Sequence, residues 1–161
     1  MPLPCSGHCG RGFRVADEAI RYGIEHVAWP GRLERFRHGQ SEVLLDAAHN
    51  PAGARALSTY LREIGWRAPT LLFAAMADKD ARGMLSALLP ATGRIICTTA
   101  PTPRAATAAE LAHVASLLAP GHPIEAIDDP GEALARACAM STRVVAAGSM
   151  YLIGPLRGIL R

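Results

Sequence analysis

The polar residues that could carry out chemistry are concentrated in one stretch of the sequence, from Trp29 to Pro51. Asp46 follows an apolar segment, and His49 comes three residues later, directly before Asn50. Asparagine is a favoured helix N-cap and proline a favoured first helical residue. Asp46 and His49 are therefore predicted to lie in a loop between the carboxyl end of a strand and the amino end of a helix. Ligands of open α/β sheets bind at such loops, where a helix N-terminus favours anions.

Four side chains of this stretch allow both a ligand-binding and a plain structural interpretation. Asp46 could accept hydrogen bonds from a ribose diol or be a solvated loop carboxylate. The His49 ring could stack on a purine or be satisfied by loop backbone. Arg32, which follows Gly31 at a turn, could hold a phosphate through two hydrogen bonds or lie on the surface. Asn50 is predicted to cap its helix, with a nucleotide contact as a second role.

A second group of candidates follows later strands of the predicted sheet. Lys79, the one lysine of the chain, lies in a loop after an apolar strand, and Ser149 follows the last strand. Arg104 lies in a loop at the same edge, where a phosphate or carboxylate could bind. Asp80 is predicted to cap the next helix whether or not Lys79 binds a ligand. Ser149 has no histidine at a nucleophile-elbow spacing, which argues against a hydrolase.

Motifs that would hold a complete nucleotide or a structural metal are incomplete in this sequence. Neither G-x-x-x-x-G-K-[ST] nor a G-x-G-x-x-G after a strand occurs, so a bound nucleotide would need groups supplied elsewhere. Cys5, His8 and Cys9 could hold zinc, but a structural zinc site needs four ligands and no second pair lies at a suitable spacing. An uncoordinated loop is the favoured interpretation.

Composition limits the class of protein. A chain of 161 residues supports one domain with a proper core, and 50% apolar residues with only 5% aromatic ones indicate a core of alanine and leucine. The net charge of +3 is spread along the chain, without the basic stripe that nucleic acids require. The four cysteines show no disulfide framework, and no apolar run is long enough for a membrane span or a signal peptide. These features predict a cytoplasmic protein that binds neither nucleic acid nor membrane.

Apolar periodicity predicts an α/β fold. The order begins with a helix over 16–27 and a β-hairpin formed by 33–36 and 43–45 around a turn at 38–41. A helix after Asn50 follows, then strands over 70–75, 94–98, 123–127 and 142–146. These strands alternate with helices that begin after Asp80, Thr107 and Asp129. The end, 152–160, is predicted to be partly helical and broken at Gly154-Pro155. The prediction is a Rossmann-like open sheet, mostly parallel with an antiparallel N-terminal edge hairpin and helices on both faces.

Five sequence blocks resemble one family in the same order: WPGRLE, LLDAAHNPAGARAL, MADKD, TTAPTPRAATAAELA and GSMYLIGPLR. The family comprises the C-terminal domains of folylpolyglutamate synthase and dihydrofolate synthase, in the Mur ligase superfamily. The resemblance spans roughly residues 16–157. It implies that residues 1–15 are an irregular remnant of the interdomain linker and that 16–161 form the domain, so the chain is expected to be a fragment or a truncated relative.

The resemblance implies an ATP-dependent ligase that adds glutamate to folate through an acyl phosphate. The ligands would be ATP, glutamate and folate, with Mg²⁺ held mainly by an N-terminal phosphate-loop domain that this sequence does not include. That domain would act in cis or in trans, and the chain is expected to be inactive without it.

The same resemblance assigns roles to the candidate residues. Ribose and purine contacts fall to Asp46, His49 and Asn50, and Arg32 would reach the terminal phosphate of ATP when the domains close. Lys79 and Ser149 would bind the glutamate carboxylate, with Arg104 as a lesser candidate. No residue is predicted to be a covalent catalyst or a metal ligand, because the chemistry needs positioning and charge neutralisation.

Two alternatives remain at this point. The first is a non-catalytic module that binds nucleotide or docks onto a partner, which the missing phosphate loop motivates. The second is a murein-precursor ligase domain of the same architecture. WPGRLE and the GSMYLIG ending favour the folate branch.

Overall fold

The computed structural model describes residues 15–26 and 29–161. The predicted linker remnant, apart from residue 15, lies outside the described residues, as do Cys5, His8 and Cys9. The elements follow in this order: α1 (Asp17–Glu25), β1 (Glu34–His38), β2 (Ser41–Leu45), α2 (Pro51–Glu63), β3 (Thr70–Phe73), α3 (Ala81–Leu88), β4 (Arg94–Cys97), α4 (Ala108–Leu118), β5 (Ile124–Ala126), α5 (Pro130–Met140), β6 (Arg143–Ala147) and α6 (Met150–Leu160). A short 3₁₀ helix, Leu89–Ala91, follows α3.

The strands form one sheet in the order β1-β2-β6-β3-β4-β5. β1 and β2 are antiparallel, whereas each of the other neighbouring pairs is parallel. The predicted fold is therefore confirmed, with the hairpin at one edge. Its turn is tighter than predicted, because His38 pairs with Ser41 and only Gly39 and Gln40 connect the strands.

Helices cover both faces of the sheet. Leu71 and Phe73 of β3 pack with α2, α3 and α4, while Leu72 points to the other face, where α5 and α6 lie. This alternation follows from the two-residue period of a strand. The neighbouring strands β2 and β6 thus continue into helices on opposite faces. The chain diverges at their carboxyl ends, and such a point leaves a crevice where ligands of α/β proteins bind.

The helix starts follow the predicted caps. Asn50, Asp80, Thr107 and Asp129 each accept, through a side-chain oxygen, a hydrogen bond from the backbone N–H three residues later, at 2.7 to 3.2 Å. Such a cap satisfies one of the amides that the first helical turn leaves unbonded. The cap at Asn50 matters for function because it fixes the loop that begins at Asp46.

The predicted break at Gly154-Pro155 is wrong. Pro155 lies inside α6, which runs without interruption from Met150 to Leu160. An interior proline costs about 3 kcal/mol because it removes one hydrogen bond and crowds the preceding turn. Each large apolar side chain that is fully buried contributes about 1.5 to 3 kcal/mol, which offsets that cost. The buried side chains of α6 are Leu152, Ile153, Leu156 and Leu160.

The first helix is shorter than predicted and does not contribute to the core of the described residues. It ends at Glu25, and Val27 lies outside the described residues. Ile20, Tyr22 and Ile24 are exposed. Over residues 15–26 and 29–161, none of the helices combines the length and the apolar character needed to cross a lipid bilayer.

Candidate functional site

A cavity of about 650 Å³ lies at the edge of the sheet where the parallel strands end. Four segments line it: residues 29–33 before β1, the loop from β2 into α2, one face of α2 as far as Tyr60, and one face of α6 from Met150 to Arg157. This is the crevice created where β2 and β6 diverge. Arg32, Asp46, His49 and Asn50 all line it, so the structure brings together the four residues of the first predicted group.

Asp46 is almost buried, with 8% of its surface exposed. Its Oδ2 accepts a hydrogen bond from Leu33 N at 3.1 Å, and its Oδ1 accepts one from Ala48 N at 2.9 Å. Burial raises the pKa of this carboxyl, although the two backbone hydrogen bonds and the nearby Arg32 act in the opposite direction. The solvated-loop interpretation is therefore wrong. The carboxylate fastens residues 29–33 to the loop before α2, a task that the sequence did not reveal, and its ribose contact stays a prediction.

His49 and Asn50 are exposed at the mouth of the cavity. The His49 Nδ1 lies 2.9 Å from the Ala47 carbonyl oxygen. Because a carbonyl only accepts, this hydrogen bond requires a proton on Nδ1, which leaves Nε2 as an acceptor in the neutral ring. Loop backbone thus satisfies one side of the ring, and the other side is open to a ligand. Asn50 caps α2 through Oδ1, which leaves its amide NH₂ as a donor.

Among the described residues, Arg32 is an arginine of the cavity that has no ion-pair partner. Its guanidinium lies over the Trp29 ring, 5.7 Å from the ring centroid. Among the described residues, no carboxylate lies within 4.0 Å of it. The guanidinium is exposed and can form two parallel hydrogen bonds with an anionic ligand.

Sequence reasoning missed the ion pair between Glu34 and Arg157. Glu34 Oε2 accepts hydrogen bonds from Arg157 Nε and from Gly31 N, both at 2.7 Å. The partners lie 123 residues apart in sequence, and no local pattern joins them. The sequence offers two weak signals for this pair: Glu34 is the last residue of WPGRLE, and Arg157 is an arginine on the final helix.

Glu34→Gln is expected to lower the free energy of unfolding by about 1 to 2 kcal/mol at pH 7, because a charge-assisted hydrogen bond is lost. The hydrogen bond from Arg157 lowers the pKa of Glu34 below its ordinary value of 4.5. A lowered pKa in the folded state means that this stabilisation is present above pH 4.5 and is lost as the pH falls through the folded-state pKa. Urea unfolding of both proteins between pH 7 and pH 3 should show the difference shrinking toward low pH. A constant difference would contradict the expectation.

The second predicted group is only partly assembled. Asp78 joins Lys79 and Arg104, with N–O distances of 3.4 and 3.3 Å. Lys79 lines a smaller cavity of about 360 Å³, whereas Arg104 does not. Ser149 is 2% exposed and lines neither cavity, because its Oγ accepts a hydrogen bond from Tyr151 N at 3.1 Å and so caps α6. Its contact with a glutamate carboxylate, like those of Lys79 and Arg104, stays a prediction.

No group of three or more His, Cys, Asp or Glu side chains that could hold a metal ion occurs within the described ranges 15–26 and 29–161.

Comparison with protein families matches residues 31–152 to the glutamate ligase domain of Mur ligases. The dihydrofolate synthase/folylpolyglutamate synthase of Mycobacterium tuberculosis is 43% identical over 89 residues, which cover 55% of this chain and 18% of that protein. The enzyme of the same name from Bacillus subtilis is 30% identical over 148 residues, 91% of this chain and 34% of that enzyme.

Solved structures of folylpolyglutamate synthases are similar to this chain as well. Folylpolyglutamate synthase from Mycobacterium tuberculosis, complexed with ADP and AMPPCP, superposes with a TM-score of 0.81 at 30% identity over 91% of this chain and 36% of that chain. A bifunctional folylpolyglutamate synthase/dihydrofolate synthase with Mn, AMPPNP and L-glutamate bound gives 0.78 at 28% identity, over 92% and 36%.

The matched region is about a third of the length of the Bacillus subtilis enzyme and of both solved structures. The matched blocks, the strand order and the shared structure lead to one conclusion. This chain belongs to the Mur ligase family, as a glutamate ligase domain similar to the C-terminal domains of folylpolyglutamate and dihydrofolate synthases.

Proposed function

We propose that this domain binds ATP in the 650 Å³ cavity and forms one half of a ligase that adds glutamate to folate through an acyl phosphate. The observation that carries the proposal is the Arg32 guanidinium, which has no carboxylate partner in the described part of the chain and shares the cavity with His49 and Asn50. Related structures hold ADP or ATP analogues, and the relatives reported above are folate ligases, which supports the folate branch over murein precursors.

The residues of the cavity fit a nucleotide in size and in chemistry. Drug-sized and cofactor-sized ligands occupy cavities of about 300 to 1,000 Å³. Arg32 supplies a positive charge for phosphate oxygens. In the first turn of α2, Pro51 has no N–H and the Gly53 N–H is bonded to Asn50, so Ala52 has the N–H that is left for a ligand. Both donors line the cavity, and among its described lining residues the one carboxylate, Asp46, is almost buried.

The base and the sugar fit the remaining groups. The His49 ring can stack on a purine or accept a hydrogen bond through Nε2, and the Asn50 NH₂ group can donate to a ring nitrogen. Asp46 would meet the ribose only through the lone pairs that its two backbone hydrogen bonds leave over. We therefore assign Asp46 chiefly to holding the loop and expect its ribose contact to be secondary.

The other half of the reaction requires partners. ATP supplies the phosphoryl group that activates the folate carboxylate, and a phosphate-loop domain in cis or in trans would hold Mg²⁺ and most phosphate oxygens. The residues of this chain would orient the nucleotide, neutralise charge through Arg32 and exclude water on closure. Lys79, beside Arg104 at Asp78, would attract the glutamate carboxylate. We assign Ser149 to capping α6 instead, because it lines neither cavity.

Arg32→Ala is expected to weaken ATP binding by about 10- to 100-fold, because the variant loses charge-assisted hydrogen bonds to phosphate. Isothermal titration calorimetry on the purified chain measures this. Arg37→Ala is the matched control, because Arg37 is an exposed arginine of the same hairpin that does not line the cavity. An equal loss in both variants would show that only net charge matters and would contradict the assigned site.

The chain by itself is expected to release no ADP in a folate-dependent manner, because no phosphate loop occurs in its sequence. Adding a separately expressed phosphate-loop domain from a relative should restore glutamate-dependent ADP release. Folate-dependent turnover by the chain alone would contradict this expectation. ATP binding without any restored turnover would favour a non-catalytic nucleotide-binding module, and turnover with UDP-linked substrates instead of folates would favour a murein-precursor ligase.

A further inference from the structure

We infer that Glu34 and Arg157 are positioning residues that hold the Gly31-Arg32-Leu33 turn, so that the Arg32 guanidinium is presented to the cavity. The ligand in this inference rests on the proposed function, whereas the geometry of the turn does not. Glu34 does not line the cavity, and Arg157, which does, is engaged by Glu34 through its Nε, so we assign neither residue a direct contact with the nucleotide. Their effect would be transmitted through the backbone on either side of Arg32.

One carboxylate oxygen connects the turn to the last helix. Glu34 Oε2 accepts from Gly31 N and from Arg157 Nε, and these side chains are only 25% and 21% exposed. A half-enclosed ion pair of this kind is less screened by solvent than an exposed one. Removing the Glu34 carboxylate therefore affects both contacts, whereas removing Arg157 leaves the carboxylate held to the turn by Gly31 N alone.

The backbone of the turn needs such support. Gly31 and Leu33 both adopt the left-handed conformation, with φ of 74° and 49°. For a leucine this conformation costs about 1 to 2 kcal/mol, so the turn persists only if its surroundings hold it. Glu34 binds the N–H of Gly31, Asp46 binds the N–H of Leu33 at 3.1 Å, and Ala47 donates to the Gly31 carbonyl oxygen at 2.7 Å. Arg32 is thus clamped on both sides.

Helix α6 supports the same turn by contact. A Cβ at Gly31 would lie 2.8 Å from Ile153 Cγ2, so the glycine permits the backbone to pack directly on the helix. Ile153 and Arg157 are four residues apart and occupy the same helix face. The apolar contact and the ion pair therefore act together, and they connect the position of Arg32 to the helix that follows β6.

The test combines a backbone measurement with a binding measurement. The ¹⁵N heteronuclear NOE of residues 31–33 in the 161-residue chain is expected to fall in Glu34→Gln and Arg157→Met, and to be largely kept in Arg157→Lys. Glu125→Gln is the matched control, because Glu125 forms a 2.9 Å ion pair with Arg136 far from the cavity. Urea unfolding verifies that every variant is folded. Unchanged NOE values in both Glu34→Gln and Arg157→Met would overturn the inference.

A double-mutant cycle tests the link to Arg32. Glu34→Gln is expected to weaken ADP binding about three- to tenfold when Arg32 is present and to have no further effect in Arg32→Ala. Equal weakening in both backgrounds would show that Glu34 acts independently of Arg32 and would overturn its positioning role. If the unmodified chain binds no ADP while the NOE values fall as expected, the proposed nucleotide site fails and the support of the turn stands.

Discussion

Gly148→Ala is expected to lower the free energy of unfolding by about 2 to 6 kcal/mol, since backbone strain and overpacking each cost about 1 to 3 kcal/mol. Gly148 has a φ of 109°, which side chains rarely tolerate. A Cβ there would collide with the Ala74 carbonyl oxygen and lie 2.7 Å from Phe73 Cε2. Neither neighbour can move freely, because both belong to the buried region around the central strand β3.

Urea unfolding followed by far-UV circular dichroism measures the effect. Gly158→Ala is the control: it lies in α6, a Cβ there meets nothing within 4 Å, and alanine should stabilise the helix by up to about 1 kcal/mol. The two glycine-to-alanine changes should therefore shift the urea midpoint in opposite directions. Equal midpoints for Gly148→Ala and the unmodified chain would refute the described junction between β6 and α6.

Asp46→Ala is expected to destabilise the fold by about 2 to 6 kcal/mol, because it leaves the N–H groups of Leu33 and Ala48 without their acceptor and each loss costs about 1 to 3 kcal/mol. It should also release the turn that carries Arg32, and ATP binding should weaken together with stability. Asp46→Asn keeps one acceptor oxygen and removes a buried charge, so its cost should be smaller.

The pH dependence of Asp46 should be opposite to that of Glu34. Burial raises the pKa of Asp46 above its ordinary value of 3.8, so the ionised form is disfavoured in the folded state. A raised folded-state pKa means that its contribution is fully present below pH 3.8 and is lost as the pH rises through the folded-state pKa. Relative to Asp46→Asn, the unmodified chain should therefore gain stability as the pH is lowered. Urea unfolding of both proteins at several pH values measures this difference in the free energy of unfolding. A loss of stability relative to Asp46→Asn at lower pH would refute the prediction.

Asp46 illustrates which properties of a site residue can be predicted from residue types and spacing. The sequence placed Asp46, His49 and Asn50 in the loop after β2, and the structure has them there. It did not reveal that both oxygens of Asp46 are already engaged by backbone, because one of those amides belongs to Leu33, 13 residues earlier. The position of a candidate residue was predictable from the sequence. The hydrogen-bonding capacity that remains for a ligand, which decides the role of the residue, was not.

The sequence by itself determined the alternation of strands and helices, the helix caps and the edge at which the candidates meet, since each depends on residues close together in the chain. Only the tertiary structure decided the pairing of Glu34 with Arg157, the burial of Ser149 and the continuity of α6 through Pro155. The physical reason is that β6, the last strand in sequence, inserts between β2 and β3. That insertion brings α6 against the turn before β1, and no local pattern of residues encodes contacts between segments that far apart.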